Sequence, residues 1–358
     1  LARGRAVYLS RKMAKKKAGR GSKKAQTPSE SLSARALAAM NGGDTETALP
    51  LARRILEVAS STPDALDVAT EVFMMAGQAE EAMKATQAAM TKAQGSPASL
   101  ATALRLMTMS ELVGPLDALP LINQAVSVFP PMDNAPEDVK QSLCRALCAR
   151  CEVLLGLGST PEEILTALTP ALPTLLASVG LDALPQGETP AAVLAQMQLD
   201  PMADMTKAVA LQPQEAYPLV TAAEVSLWVG QEEEGKAAAV QAFNLYHATF
   251  DVGAAEEGPG HLETGDALKL ANILLCPFVE EIEMALALVT VLLLTDDEDI
   301  AVLQTAAWAH NLASEYADAA AFLQRALALV ERDQPEGAEM LAAEMREQIQ
   351  ALTAVPQP

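Results

Sequence analysis

Three acids and two thioethers form the most suggestive constellation in the chain. Asp64, Asp67 and Glu71 are spaced i, i+3 and i+7, so one face of a helix would stack three carboxylates, with Met74 and Met75 directly beyond them. Carboxylates in that arrangement attract ammonium and guanidinium groups, and flexible thioethers pack against the aliphatic stems that carry such groups. Other candidates are weaker. Cys144, Cys148 and Cys151 share a helical face, but His247, His261 and His310 lie far away in sequence, so the thiols read as core and not as a metal centre. GLGST at 156–160 has no Gly-Lys-Ser/Thr continuation, and TDDEDI at 295–300 lacks the central Gly and closing Glu of a calcium loop. TDDEDI reads instead as a loop capping a helix that starts near Ile300. No nucleophile–His–acid set is legible. The chain is therefore expected to be a binding protein, not an enzyme, with no cofactor or metal.

Charge sharpens that expectation. Of 25 basic residues, ten fall in residues 1–25, which hold no acid; the remaining 15 face 46 acids, a balance of −31 over residues 26–358. Such a body repels nucleic acid and attracts a basic protein partner. The longest apolar run, MALALVTVLLL at 284–294, is too short to span a bilayer and is expected to be a buried helix, so no membrane association is expected. Few unpaired cysteines suit a reducing compartment.

The elements that must position these residues repeat. Gly43 recurs as Gly77, Ala48 as Ala82, Pro63 as Pro97 and Ala285 as Ala319, each pair 34 residues apart. The same phase returns at Gly230, followed by Gly235, Ala239 and Ala242. Half the residues are hydrophobic but only 3% are aromatic, a balance that suits small side chains between close-packed helices. A 34-residue unit with a turn glycine and small residues after it resembles the tetratricopeptide repeat, a pair of antiparallel helices A and B. The resemblance implies an all-α, right-handed superhelical solenoid. Repeats are placed at about 29–62, 63–96 and 97–130, with a longer helical pair at about 135–178. Helices resume near Pro190, with further repeats at about 216–249 and 266–333, and an amphipathic capping helix follows within 334–353. The exact count in 135–212 stays open.

In tetratricopeptide proteins the partner lies along the A helices, through repeat positions 2, 5, 9, 12 and 13. That register implies partner contacts from Glu30, Asp64, Asp67, Glu71, Met74, Met75, Glu224 and Trp228. Repeats that clamp a C-terminal carboxylate need Lys and Asn on this face, whereas repeat two shows acids and repeat three only Arg105.

From Pro213 onward, PQEAYPLVTAAEVSLWVGQEEEGKAAAVQAF, DALKLANILL, EEIEMALALVTVLLLTDDEDIAVLQTAAWAH and EYADAAAFLQRAL resemble the fungal-type assembly chaperone of large-subunit ribosomal protein four. CPFVEE replaces the turn expected after DALKLANILL. The resemblance implies capture of a basic ribosomal protein and its escort from cytoplasm to nucleus; the rival expectation is a scaffold for another complex, possibly organellar. The front, residues 1–28, is expected to be a disordered basic tail. Within it Lys15, Lys16, Lys17, Arg20, Lys23 and Lys24 suit a nuclear-import receptor, a weakly RNA-contacting or solubilising tail, or a transit segment. Met13 is read as the translation start, which would leave residues 1–12 untranslated.

Overall fold

The computed structural model describes residues 28–354 except 59, 94–99, 130, 131, 133, 134, 159, 180, 182–187, 252–260 and 336. The basic tail residues Lys15 to Lys24 therefore lie outside the described residues. The architecture is all-α and of the tetratricopeptide-repeat type, and among the described residues there is no strand. No helix among them is long and apolar enough to cross a membrane. The chain divides into two compact units, meeting in sequence at Pro201 and Met202.

The first unit begins with three helix pairs. These are α1 (Pro28–Asn41) with α2 (Thr45–Glu57), α3 (Pro63–Met75) with α4 (Ala79–Lys92), and α5 (Leu100–Ser110) with α6 (Pro115–Val128). A long α7 (Glu137–Leu157) follows, then α8 (Pro161–Ala167), a 3-10 turn at Thr169–Ala171, α9 (Leu172–Val179) and α10 (Pro190–Gln196). The second unit holds α11 (Pro201–Leu211), then α12 (Ala216–Trp228) paired with α13 (Glu232–Asp251), α14 (Thr264–Leu275) with α15 (Ile282–Thr295), and α16 (Ile300–Leu312) with α17 (Tyr316–Asp333). It closes with α18 (Ala338–Ala354).

Local chemistry starts and stops these helices. Asp44 accepts a hydrogen bond from Thr47 N at 3.0 Å to open α2, and Thr62 accepts one from Ala65 N at 3.2 Å to open α3. Asp299 caps α16 by accepting from Ala301 N and Val302 N, as TDDEDI led us to expect. At the other ends, Gly43, Gly77 and Gly230 adopt φ of 75°, 71° and 78°. That left-handed step lets Asp44 N, Gln78 N and Gln231 N reach back to the carbonyls of Ala39, Phe73 and Ser226. The same closure occurs without glycine at Ser314, φ 64°, where Glu315 N donates to His310 O at 2.8 Å.

Five residues after each turn a small residue enters the interface. Ala48, Ala82, Ala285 and Ala319 are fully buried, and Gly235 is buried at the same place in its own pair. In unit one, Ile55, Leu66, Val72 and Phe73 pack around these alanines. In unit two, Leu219, Leu270, Leu288 and Val302 do so. The face of α18 bearing Ala338, Ala342 and Met345 covers Leu323 and Val330 of α17 and so seals the last pair.

Two local expectations need correction. The second helix of the 135–178 pair is broken into α8, a 3-10 turn and α9, because Pro170 and Pro173 lack the N–H that a continuous helix needs. The apolar run in α15 is buried along only part of its circumference: Ala285, Leu288, Val289 and Leu292 face the core, while Leu294 is 85% exposed. Cys144, Cys148 and Cys151 do lie inside, on the core face of α7, and burial pushes the Cys148 thiol well above its ordinary range.

Candidate partner-binding face

In unit one the A helices are α1, α3 and α5. Glu30 lies in the first turn of α1. On α3, Asp64 is exposed, Asp67 and Glu71 are half-buried, and Glu71 has one buried carboxylate oxygen, Oε1. Asp67 is occupied by a neighbour. The guanidinium of Arg105 on α5 donates to it twice, from Nε to Oδ1 and from an Nη to Oδ2, both at 2.8 Å. The Arg105 side chain is 7% exposed. Its charge is held first by the hydrogen bonds to Asp67, with Asp64 adding attraction, so its pKa is raised further. Arg105 stands one repeat after Glu71, 34 residues on, and the pair ties successive A helices together. Met74 and Met75 are half-buried and pack against the core of the unit.

This face has therefore already bound a guanidinium, one supplied by the chain itself. Asp64 remains the exposed carboxylate of the predicted triad. Arg105, the one cation predicted on this face in repeat three, is committed to Asp67.

In unit two the A helices α12, α14 and α16 stand side by side. Between α12 and α14 lies a shallow cleft of about 470 Å³, widely open to solvent and lined by Glu224, Leu227, Gly265, Leu268, Lys269, Asn272, Ile273 and Cys276. Glu224 pairs with Lys269 at 3.3 Å, so the cleft wall carries one charge of each sign. Asn272 Oδ1 accepts from Thr305 Oγ1 of α16 at 3.1 Å, which fixes the amide at the cleft's far side. Trp228 is half-buried, and its indole Nε1 is buried without an acceptor among the described residues. Trp308 and Leu312 continue the A-helix surface on α16 and are exposed.

The geometry thus gathers the predicted residues into two sets. Asp64, Asp67, Glu71, Met74 and Met75 lie together on α3, and Glu224 and Trp228 on α12. Sequence reasoning missed Lys269, Asn272, Cys276, Trp308 and Leu312. The segment 252–260 lengthens the connection before α14 and moves its residues out of the 34-residue phase. Trp308 was findable: it stands nine residues into α16, as Glu224 does in α12.

No protein-family model and no curated protein matches the chain in sequence. Solved structures do. The chain is similar to the assembly chaperone of RpL4 (Acl4), residues 1–338, at 19% identity and a TM-score of 0.58, over 81% of this chain and 98% of that one. The tetratricopeptide domain of P58(IPK) aligns over 92% of this chain and all of its own, at 11% identity and a TM-score of 0.27. A tetratricopeptide protein from Parabacteroides merdae aligns over 79% of this chain and 98% of its own, at 14% identity and 0.32. The last two scores are too low to superpose one structure on another. At 19% identity the first establishes a shared fold.

Proposed function

We propose that the chain is a protein-binding module that holds an extended, Lys/Arg-rich segment of a client along its A helices, as a chaperone in ribosome assembly. The observation that carries this reading is the cleft of about 470 Å³ on the A-helix face of unit two, in a body whose charge from residue 26 onward is −31. A cleft that places the Glu224–Lys269 pair and Asn272 beside Leu227, Leu268 and Ile273 suits a basic, partly aliphatic chain: a client cation would compete with Lys269 for the Glu224 carboxylate, and the apolar wall takes its stems. Asp64 and Glu71 on α3 extend the same chemistry in unit one, and Glu30 stands on the preceding A helix. The proposal treats residues 29–333 as the binding array and 334–353 as its cap.

Large-subunit ribosomal protein four is the client we propose. The similarity in fold to a chaperone of that protein and the sequence resemblance from Pro213 onward support this choice. The basic run Lys15, Lys16, Lys17, Arg20, Lys23 and Lys24 would then direct the complex from cytoplasm to nucleus through an import receptor.

Calorimetric titration of the whole chain with a purified basic segment of that ribosomal protein tests the reading. Binding that weakens with salt is expected, and Asp64→Lys combined with Glu224→Lys should weaken it at least tenfold, by removing two charge-assisted contacts. Asp67 is left alone, because replacing it would strand Arg105. Affinity unchanged in the double variant would overturn the assignment of the face. A pull-down whose enriched proteins include no ribosomal protein would favour a scaffold for another complex.

A further inference from the structure

The second unit has another surface whose composition calls for a partner. Among the described residues the large exposed hydrophobics are Val229, Phe278, Leu294, Trp308, Leu312 and Met340. Three of these stand at the A-to-B turns of three consecutive helix pairs. Val229 directly follows α12, Phe278 lies between α14 and α15, and Leu312 ends α16, with Trp308 one helical turn before it. Each apolar residue is followed by carboxylates that open the next helix: Glu232, Glu233 and Glu234, then Glu280, Glu281 and Glu283, then Glu315 and Asp318. Acids in a first turn complement the helix dipole. That accounts for the acids and leaves the repeated apolar neighbours unexplained.

Direct contacts join the first two turns into one edge. Lys236 Nζ, from the second turn of α13, donates to Val279 O at 2.9 Å and pairs with Glu281 at 2.8 Å. The middle turn also differs from its neighbours. It closes with Glu281 N on Leu274 O, seven residues back, where the preceding turn closes with Gln231 N on Ser226 O, five back. Glu280 takes φ 51° to make that closure, an uncommon conformation for a residue with a side chain. The two extra residues put Pro277 and Phe278 in solvent, with Phe278 59% exposed, while Lys236 pins the turn that carries them. An exposed aromatic residue thus sits on a turn whose sequence neighbours Glu280, Glu281 and Glu283 are acids.

We propose that this turn edge of the second unit is a docking surface for an extended, Lys/Arg-rich segment of a partner protein, with an apolar residue at about every third position. Charge selects the occupant. Eight carboxylates line the three turns against Lys236, itself held by Glu281, and His310, which hydrogen-bonds Glu315 at 2.6 Å. Spacing selects the pattern. Neighbouring helices pack about 8–10 Å apart, and an extended chain advances about 3.3 Å per residue, so successive turns meet about every third residue. Apolar residues of the segment would rest on Val229, Phe278 and Leu312, its cations would reach the carboxylates between, and one would lie over the Phe278 ring. This surface shares a basic partner with the A-helix reading and meets that face at Trp308 and Leu312, but Val229, Phe278 and the turn carboxylates belong to it alone.

Fluorescence anisotropy with two dye-labelled twelve-residue probes tests it on the whole chain. One probe repeats Leu-Lys-Lys; the other has the same composition with its leucines clustered. The patterned probe is expected to bind at least about fivefold more tightly. Phe278→Ser, and separately Glu232→Gln with Glu233→Gln and Glu234→Gln, should each weaken it about fivefold, with the circular dichroism of the native chain retained. Glu347→Gln on α18, exposed and outside both surfaces, should change it less than twofold, and Glu224→Lys reports any share of the probe held in the cleft. Equal affinity for the two probes, or no effect of either turn variant, overturns the proposal. Loss confined to Glu224→Lys overturns it while leaving the A-helix reading standing. No binding of either probe by the native chain overturns both.

Discussion

Gly235 offers the sharpest test of how this protein packs. It lies in the first turn and a half of α13, where replacing Gly by Ala in an ordinary helix stabilises by about 0.8–1 kcal/mol. Here the added methyl would sit 2.7 Å from Leu227 Cγ, 2.8 Å from its Cδ2 and 3.3 Å from Ala223 O. Carbon contacts are comfortable at about 3.5–4.0 Å, so Leu227 must retreat by roughly 0.8 Å. Forcing a methyl into a packed interface costs about 1–3 kcal/mol, which outweighs the propensity gain and leaves Gly235→Ala destabilised by about 1 kcal/mol. Urea unfolding followed by tryptophan emission isolates the effect, because both tryptophans, Trp228 and Trp308, belong to unit two. The partner variant Leu227→Ala removes the obstacle. In the double variant the methyl should become neutral or favourable, a coupling of about 1–2 kcal/mol. Leu227 also lines the cleft, so Gly235→Ala alone should weaken client binding by crowding it. If Gly235→Ala stabilises unit two by the full propensity increment, the packing argument is refuted.

Further predictions concern other parts of the molecule. Asp67→Ala should destabilise unit one more than Arg105→Met, because it strands a buried guanidinium whereas the Met variant leaves a carboxylate that can hydrate; about 1–3 kcal/mol separates them by chemical denaturation. Thiol titration of the native chain should detect Cys276 first, with Cys144, Cys148 and Cys151 reacting only on unfolding; early reaction of all four would contradict the α7 core. A bound client covering the cleft should slow Cys276 as well. The Asp44 carboxylate, which accepts the hydrogen bonds that cap α2, should titrate by NMR below its ordinary value of 3.8. Because the folded pKa is the lower one, its contribution to stability is present above 3.8 and disappears as pH falls through the folded value. A midpoint at or above 3.8 would contradict the cap. Gly156→Ala, near the end of α7 with open space around the added methyl, should stabilise by about 0.5 kcal/mol or more, the opposite sign to Gly235→Ala.

The repeat architecture was legible because it rests on residues with backbone consequences. Gly43, Gly77 and Gly230 announce left-handed turns, and small residues five positions later announce tight interfaces. Where other residues take the left-handed step, as at Ser314 and, in a longer turn, Glu280, side-chain identity carries no such signal and the closure appears only in three dimensions. The partner-binding face was legible as a register but not as a balance of charges. Asp67 looked available because the 38 residues to Arg105 conceal an ion pair between adjacent A helices. Lys269 beside Glu224 was hidden by the longer connection before α14, and Phe278 by a turn that departs from the repeat pattern.

Hydrogen exchange of the whole chain with and without purified large-subunit ribosomal protein four measures the central claim most directly. The account predicts slowed exchange in the A helices of unit two, Ala216–Trp228, Thr264–Leu275 and Ile300–Leu312, and in α3 of unit one, with the buried B-helix residues unchanged. Protection confined to the B helices, or none at saturating client, would contradict it.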